Sequence, residues 1–310
     1  MHKVLLTCPP MAQILEESNM LRHTIQKHRL DITIPDFEVV MSENELVNII
    51  GDYDGWIFAD DPATEKVLKA GKNLKGCMRW GVGTDNISWE AFKKYKIPIK
   101  NTPGVFGREV ADLAMHYITA LARHTYLIDR AQKQYKRWIR PTGRSLWGTS
   151  GLIVGLGDIG KNLARRMSAA DIKVSYCDPG VEEYIDLKKE EWPNGMRNKD
   201  FVIFCCSLEP DTKGMLNEHT LEYAKDGVCI VNVARGGLIS EKHLIKAMEK
   251  DKVSLAALDV FEKEPLSEDS QLHEFGQRII FGSHNGSNTY EAVSHVSKLC
   301  LDNLAQMLYD

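Results

Sequence analysis

The chain has 310 residues and a mass of 35.0 kDa, enough for about two domains at roughly 150 residues each. Hydrophobic residues make up 43% and charged residues 26%, the balance of a soluble globular protein that buries a large core without staples. A net charge of −4 excludes a strongly basic nucleic-acid footprint, and no apolar run approaches the ~18 residues of a membrane helix.

In chain order, residues 4–7 read as a strand. The prolines at 9 and 10 stop this short apolar run, so no signal peptide is expected. Residues 12–27 carry a helical pattern, and 32–40 have strand composition despite Pro35. Ser42 with Glu45 three residues later is a capping box for a helix reaching about residue 50. A buried strand at 55–59, a short helix at 63–70 ended by Gly71, a strand at 77–80, a helix at 89–96 and a strand at 97–100 follow. Strands alternating with helices predict a parallel sheet covered by helices. The turn NTPG at 101–104 is a candidate domain boundary. One long helix is predicted over 108–136, with Val110, Leu113, Ala114, Tyr117, Ile118, Leu121 and Ala122 at helical spacing. A second alternating series then begins: strands at 152–155, 173–177, 201–206, 229–234 and 255–260, helices at 159–170 and 241–250, and a final helix over 291–308.

None of the seven cysteines forms a C-x-x-C pair, and most sit in apolar segments, as expected of buried thiols in a reducing, cytoplasmic setting. The histidines show no H-E-x-x-H and no Cys/His ligand spacing, so no metal is expected.

The segment GLGDIG at 155–160 follows a strand and opens a helix, and Asp178 ends the next strand. That is the context of a dinucleotide fingerprint. Gly155 permits the tight turn, Gly157 lets backbone approach a pyrophosphate, and Gly160 allows close helix–strand packing. The helix N-terminus offers N–H groups to the anion. Asp178 would accept from ribose hydroxyls and repel a 2′-phosphate, favouring NAD over NADP.

Three further segments put polar groups at the ends of apolar strands: 230–237 with Arg235, 257–265 with Asp259, Glu262 and Glu264, and 280–287 with His284. An arginine fork holds a carboxylate, a histidine moves the proton of an alcohol, and a neighbouring carboxylate sets its tautomer. Together these suit hydride transfer between C2 of a 2-hydroxy acid and NAD. Spacing alone does not choose between Glu262 and Glu264 or bring the three segments together.

These segments, with GVGTDNI at 81–87, NTPGV at 101–105, VADLA at 110–114, NVARGG at 232–237, LDVFEKEP at 258–265 and HNGS at 284–287, resemble the D-isomer-specific 2-hydroxyacid dehydrogenase family over nearly the whole chain. Among its members the chain looks most like the short-form phosphoglycerate dehydrogenases. The resemblance implies two Rossmann-like or flavodoxin-like parallel-sheet α/β domains. An NAD-binding domain (101–286) would be inserted in a discontinuous substrate domain (1–100 and 287–310), with an interdomain cleft that closes on substrate and no room for an added regulatory domain. It implies Arg235, Glu264 and His284 as catalytic residues, with Arg235 on the substrate carboxylate, His284 as acid/base and Glu264 as its partner. It also implies cofactor contacts from Gly155, Gly157, Asp158, Ile159, Gly160, Asp178, Ala234 and Asp259, the last on the nicotinamide amide. Backbone N–H groups of Gly81, Val82 and Gly83 would take the substrate carboxylate, and Arg79 is a candidate for a substrate phosphate. A homodimer through residues 111–123 is implied as well.

Candidate reactions include 3-phosphoglycerate/phosphohydroxypyruvate and glyoxylate/hydroxypyruvate interconversion. Glu264 argues against formate, whose enzymes resemble a Gln partner for the histidine. A non-catalytic NAD(H)-sensing protein on the same fold is the rival class, distinguished by turnover. Three positions depart from the family. Asp158 stands where many members carry Arg; as an N-cap it would stabilise its helix and place negative charge near the pyrophosphate. Trp80 replaces a small residue and either narrows the pocket or packs in the core. Asn285 replaces an apolar residue after His284.

Overall fold

The computed structural model describes residues 1–37 and 39–310. It divides into two compact units, Met1–Phe106 with Asn288–Asp310, and Gly107–Ser287.

The first unit opens with strand β1 (His2–Thr7), then helices α1 (Pro9–Leu15) and α2 (Asn19–Lys27). The single helix expected over 12–27 is two because Ser18 intervenes and its side chain accepts the Leu21 N–H to start α2. Pro9 and Pro10 occupy the first turn of α1, where a missing N–H breaks no helical bond. Strand β2 (Leu30–Thr33) ends before Pro35, so the strand expected over 32–40 is cut short; Glu38 lies outside the described residues. Helix α3 (Glu43–Ile49) starts with the predicted capping box, the Ser42 N–H donating to Glu45 at 2.8 Å. Strand β3 (Gly55–Phe58), helix α4 (Glu65–Ala70), strand β4 (Gly76–Arg79), helix α5 (Trp89–Tyr95) and strand β5 (Ile99–Lys100) complete the alternation. The strands form a parallel sheet in the order β2-β1-β3-β4-β5. Both faces of β3 and β4 are buried, which is why they read as apolar runs rather than alternations. The final helix of the chain, Tyr290–Tyr309, packs on this sheet, with Leu304 against Gly55 and Met307 against Gly76.

Residues 101–106 stay with this unit, where the sequence suggested a boundary after residue 100. Thr102 exchanges two hydrogen bonds with Gly81, through its N–H to the Gly81 carbonyl (3.0 Å) and its hydroxyl from the Gly81 N–H (2.9 Å). The Phe106 ring meets Trp80 at 5.1 Å between centroids. These contacts hold the segment to β4, and the chain leaves at Gly107.

The second unit begins with α6 (Gly107–Arg123) and α7 (Thr125–Tyr135). The one long helix predicted over 108–136 is broken at His124, whose φ of 54° is left-handed and ends the first helix. Then come β6 (Ser150–Val154), α8 (Asp158–Ala169), β7 (Lys173–Cys177), β8 (Lys188–Lys189), β9 (Phe201–Phe204), α9 (Glu218–Leu221), β10 (Val228–Asn232), α10 (Glu241–Glu249), β11 (Val253–Leu258) and β12 (Ile279–Phe281). The closing helix of the first unit is α11. The seven strands are parallel in the order β12-β11-β10-β9-β6-β7-β8. Leu152, Val202, Phe204, Ile230 and Leu258 build the core from neighbouring strands. The winding reverses at β6, which has β7 on one side and β9 on the other. Ligands of doubly wound sheets bind beyond the carboxyl ends of the strands at such a reversal.

Candidate active site

The turn after β6 lies at that reversal. Gly155 has φ of 93°, and a Cβ there would meet the Cys206 backbone at 2.5 Å. A Cβ on Gly160 would overlap the Gly155 carbonyl, so α8 sits directly on the turn only because residue 160 is glycine. Gly157 is the N-cap of α8, no side chain caps it, and the space beside its Cα is open. The first N–H groups of a twelve-residue helix therefore face a bare backbone cradle, the arrangement that binds a pyrophosphate. Asp178 accepts from Leu156 N–H (2.6 Å) and Gly180 N–H (2.8 Å), so it braces the turn it was expected to serve. One hydrogen bond on each oxygen leaves acceptor capacity for a ribose. These residues fit a dinucleotide.

Asp158 departs from the expectation of a helix cap. It is the first residue of α8 and not its N-cap. Asn162 donates to its side chain at 3.1 Å, and the carboxylate packs on Gly107 at the start of α6, where a helix dipole favours negative charge. Ile159 follows it in the first turn of α8, and Ala234 is buried just after β10.

Beyond β10, β11 and β12 the structure brings the polar segments of the second unit together. His284 Nδ1 lies 2.7 Å from Glu264 Oε2, with both side chains about 30% exposed (31% and 28%). Glu264 Oε1 accepts the Phe261 N–H at 2.9 Å, which fixes the carboxylate plane. Glu262 is engaged elsewhere. It accepts the Glu241 N–H (2.9 Å), and its own N–H donates to Glu241 (2.7 Å) at the start of α10. Of the two acids, Glu264 is thus the one paired with His284. Burial, reinforced by the carboxylates of Glu262 and Glu264, raises the Glu241 pKa against the hydrogen bond from Glu262. Arg235 follows β10 in extended backbone, and its guanidinium donates to the Ala234 carbonyl at 2.9 Å. A Cβ on Gly236 would overlap the Phe261 carbonyl, so a glycine there lets the Arg235 loop lie against the segment that carries Glu264.

Asp259 is 1% exposed and its carboxylate turns inward. It accepts from the Tyr117 hydroxyl (3.1 Å), Asn285 N–H (3.2 Å) and Gly286 N–H (2.9 Å), while its carbonyl takes the His284 N–H at 2.6 Å. The residue expected on the nicotinamide amide therefore anchors the His284 loop. This anchoring matters because His284 itself has φ of 54°, a left-handed conformation uncommon for a non-glycine residue. By its spacing Tyr117 belongs to the apolar stripe of a helix. Its hydroxyl reaches Asp259 across 142 residues, and burial together with that carboxylate raises its pKa. The one hint in the sequence is a polar tip within an apolar face.

In the first unit, the loop after β4 is held by Thr102 at Gly81 and by Asn101, whose side chain donates to the Val82 carbonyl at 2.9 Å. Gly81 has φ of 139°. Trp80 packs in the core: it is 4% exposed, its ring lies against Phe106, and its indole N–H donates to Ser297 at 3.2 Å. Arg79 is also 4% exposed; its guanidinium donates to Asp60 at 2.7 Å and to the Trp80 carbonyl.

Among the described residues, no helix is long and apolar enough to cross a membrane. The NAD-binding-domain model of the D-isomer-specific 2-hydroxyacid dehydrogenases matches residues 115–286. The chain is 33% identical to the hydroxypyruvate reductase of Thermotoga maritima over 88% of its own length and 89% of that protein. It is 31% identical to the D-3-phosphoglycerate dehydrogenase of Archaeoglobus fulgidus over 91% of its length, but spans only 54% of that protein. A solved glyoxylate reductase from Paecilomyes thermophila superposes with a TM-score of 0.80 at 25% identity, covering 100% of this chain and 96% of that one. The chain belongs to the D-isomer-specific 2-hydroxyacid dehydrogenase family, and it is an NAD-dependent oxidoreductase of that family.

Proposed function

We propose that this chain interconverts a 2-keto acid and a D-2-hydroxy acid with Arg235, Glu264 and His284 as its catalytic residues. The observation that carries this reading is the His284–Glu264 pair at 2.7 Å, set by a loop that the buried Asp259 holds. NADH, when bound, supplies the hydride for C2 of the keto acid. Arg235 holds the substrate carboxylate and the Gly81–Val82–Gly83 loop contributes backbone N–H groups to it. Glu264 accepts a hydrogen bond from the Nδ1–H of His284, so the imidazole keeps one orientation and tautomer and presents Nε2 to the substrate oxygen. In reduction Nε2 gives its proton to that oxygen as the C2–H bond forms. In oxidation it takes the proton back. Gly155, Gly157, Asp158, Ile159 and Gly160, with Asp178, Ala234 and Asp259, form the proposed cofactor site.

We further propose a cytoplasmic homodimer. All seven cysteines are free thiols, in keeping with a reducing compartment. The apolar side chains of α6 are largely buried, while Trp138 and Trp147 further along are 82% and 75% exposed. Large exposed aromatics of this kind favour a protein contact. The relatives' names divide the candidate substrates into phosphorylated and unphosphorylated acids.

The test of the function is NADH oxidation followed by absorbance against a panel of 2-keto acids. His284→Ala is expected to lower kcat by about 100-fold or more with NADH binding retained. Full turnover by this variant would refute the assignment.

A further inference from the structure

We infer, on the basis of the function proposed above, that the site takes 2-keto acids whose only anion is the reacting carboxylate and rejects those carrying a phosphate. The observation is the charge at the carboxyl edge of the five-stranded sheet, the edge that bears the Gly81–Gly83 loop. Strands β3 and β4 are in register there, Phe58 opposite Arg79, so the residues that follow each strand lie side by side. Across residues 59–61, 79–86 and 101–106 the chain places one cation, Arg79, and three carboxylates, Asp60, Asp61 and Asp85.

The cation is already committed. Its side chain is 5% exposed, and its guanidinium is held by Asp60 on one side and the Trp80 carbonyl on the other. A Cβ at Gly81 would overlap that guanidinium, so the loop and the arginine are packed as one piece. A phosphate seeking Arg79 would have to displace Asp60, leaving two anions around one buried cation. Asp60, with 42% of its side chain exposed, is the charge such a phosphate meets first. Asp61, next in the chain, is 1% exposed and fixed by the Thr7 hydroxyl (2.7 Å) and Met41 N–H (2.8 Å). Trp80, packed against Phe106 and bonded to Ser297, leaves the loop little freedom to shift away from these groups. The reacting carboxylate is offered backbone N–H groups by the Gly81–Gly83 loop itself. For a second anion on the substrate, residues 59–61, 79–86 and 101–106 hold no Lys or Arg besides Arg79. Arg79 thus acts as a positioning residue under the loop, and Asp60 as the residue that sets specificity.

The experiment compares steady-state reduction of hydroxypyruvate, glyoxylate and phosphohydroxypyruvate by the purified full chain with NADH. The expected kcat/KM is about 100-fold or more in favour of hydroxypyruvate over its phosphorylated form. Raising NaCl from about 20 to about 300 mM should narrow that ratio, because salt screens the repulsion. Asp60→Asn should narrow it by about 10-fold, chiefly through KM for phosphohydroxypyruvate. If that variant does not fold, the wild-type ratio and its salt dependence decide the matter. A wild-type ratio below about 10 overturns the inference and leaves the dehydrogenase reading standing. No turnover with any of the three acids overturns both.

Discussion

Replacing Tyr117 by Phe removes one oxygen atom, the one that joins α6 to Asp259, whose carboxylate and carbonyl hold the loop of His284, the proposed acid/base. Tyr117 is 5% exposed and Asp259 is 1% exposed, so water has poor access to the acceptor left behind. A hydrogen bond to a charged group contributes about 1.5–3 kcal/mol. The O–O distance of 3.1 Å is long for a hydroxyl donor, which points to the lower part of that range, about 1.5–2 kcal/mol. For a unit of this size each kcal/mol moves the midpoint by about 2–4 °C, so thermal unfolding should begin about 3–8 °C lower. The kinetic consequence is separate. Asp259 Oδ1 also receives the Asn285 N–H at 3.2 Å, so a carboxylate free to rotate loosens the loop that carries His284. Single-turnover NADH oxidation should slow by about 5–20-fold while the Kd for NADH, measured by fluorescence, changes little. A purely structural tyrosine would shift the melt and leave the single-turnover rate alone. A variant with the wild-type rate would refute the positioning role, and one with wild-type stability would refute the energetic argument.

The remaining predictions concern charge. Burial pushes the Asp61 carboxyl up to about 6, against hydrogen bonds from Thr7 and Met41. The folded state therefore holds its proton more tightly than the unfolded chain, and this group's contribution to stability is lost as pH rises from about 4 through about 6. Asp61→Asn should flatten the pH dependence of urea unfolding across that window and raise stability at pH 7 by about 1–2 kcal/mol; an unchanged slope would contradict it. Asp178→Asn should raise kcat/KM with NADPH by about 10-fold or more, since it removes the charge facing a 2′-phosphate and can still accept the Leu156 N–H. Equal use of NADH and NADPH by the wild type would remove the basis for that prediction.

The class of each element, the glycine turn, and the residue types of the polar segments at the strand ends are local properties, and the amino-acid sequence determined them. Periodicity marks helices and buried strands because side-chain direction repeats at 3.6 and 2 residues. The capping box at Ser42 and the strand–turn–helix context of Gly155 needed no partner from elsewhere in the chain. Where the chain breaks its elements was less legible. The interruptions at Ser18 and His124 fall within continuous helical patterns, and a single residue's φ leaves almost no trace in periodicity. The resemblance pointed to Glu264, but only the tertiary structure shows why it pairs with His284 and Glu262 does not: the two differ by two positions and are separated by what Phe261 and Glu241 offer them. The tertiary structure likewise decided that Arg79 faces Asp60, that Trp80 is core, and that Tyr117 reaches Asp259. Each of those outcomes depends on groups from different elements of the chain meeting in the fold. A one-dimensional pattern records what a side chain can do; the company it keeps is settled when the strands pair and the buried polar groups find their partners.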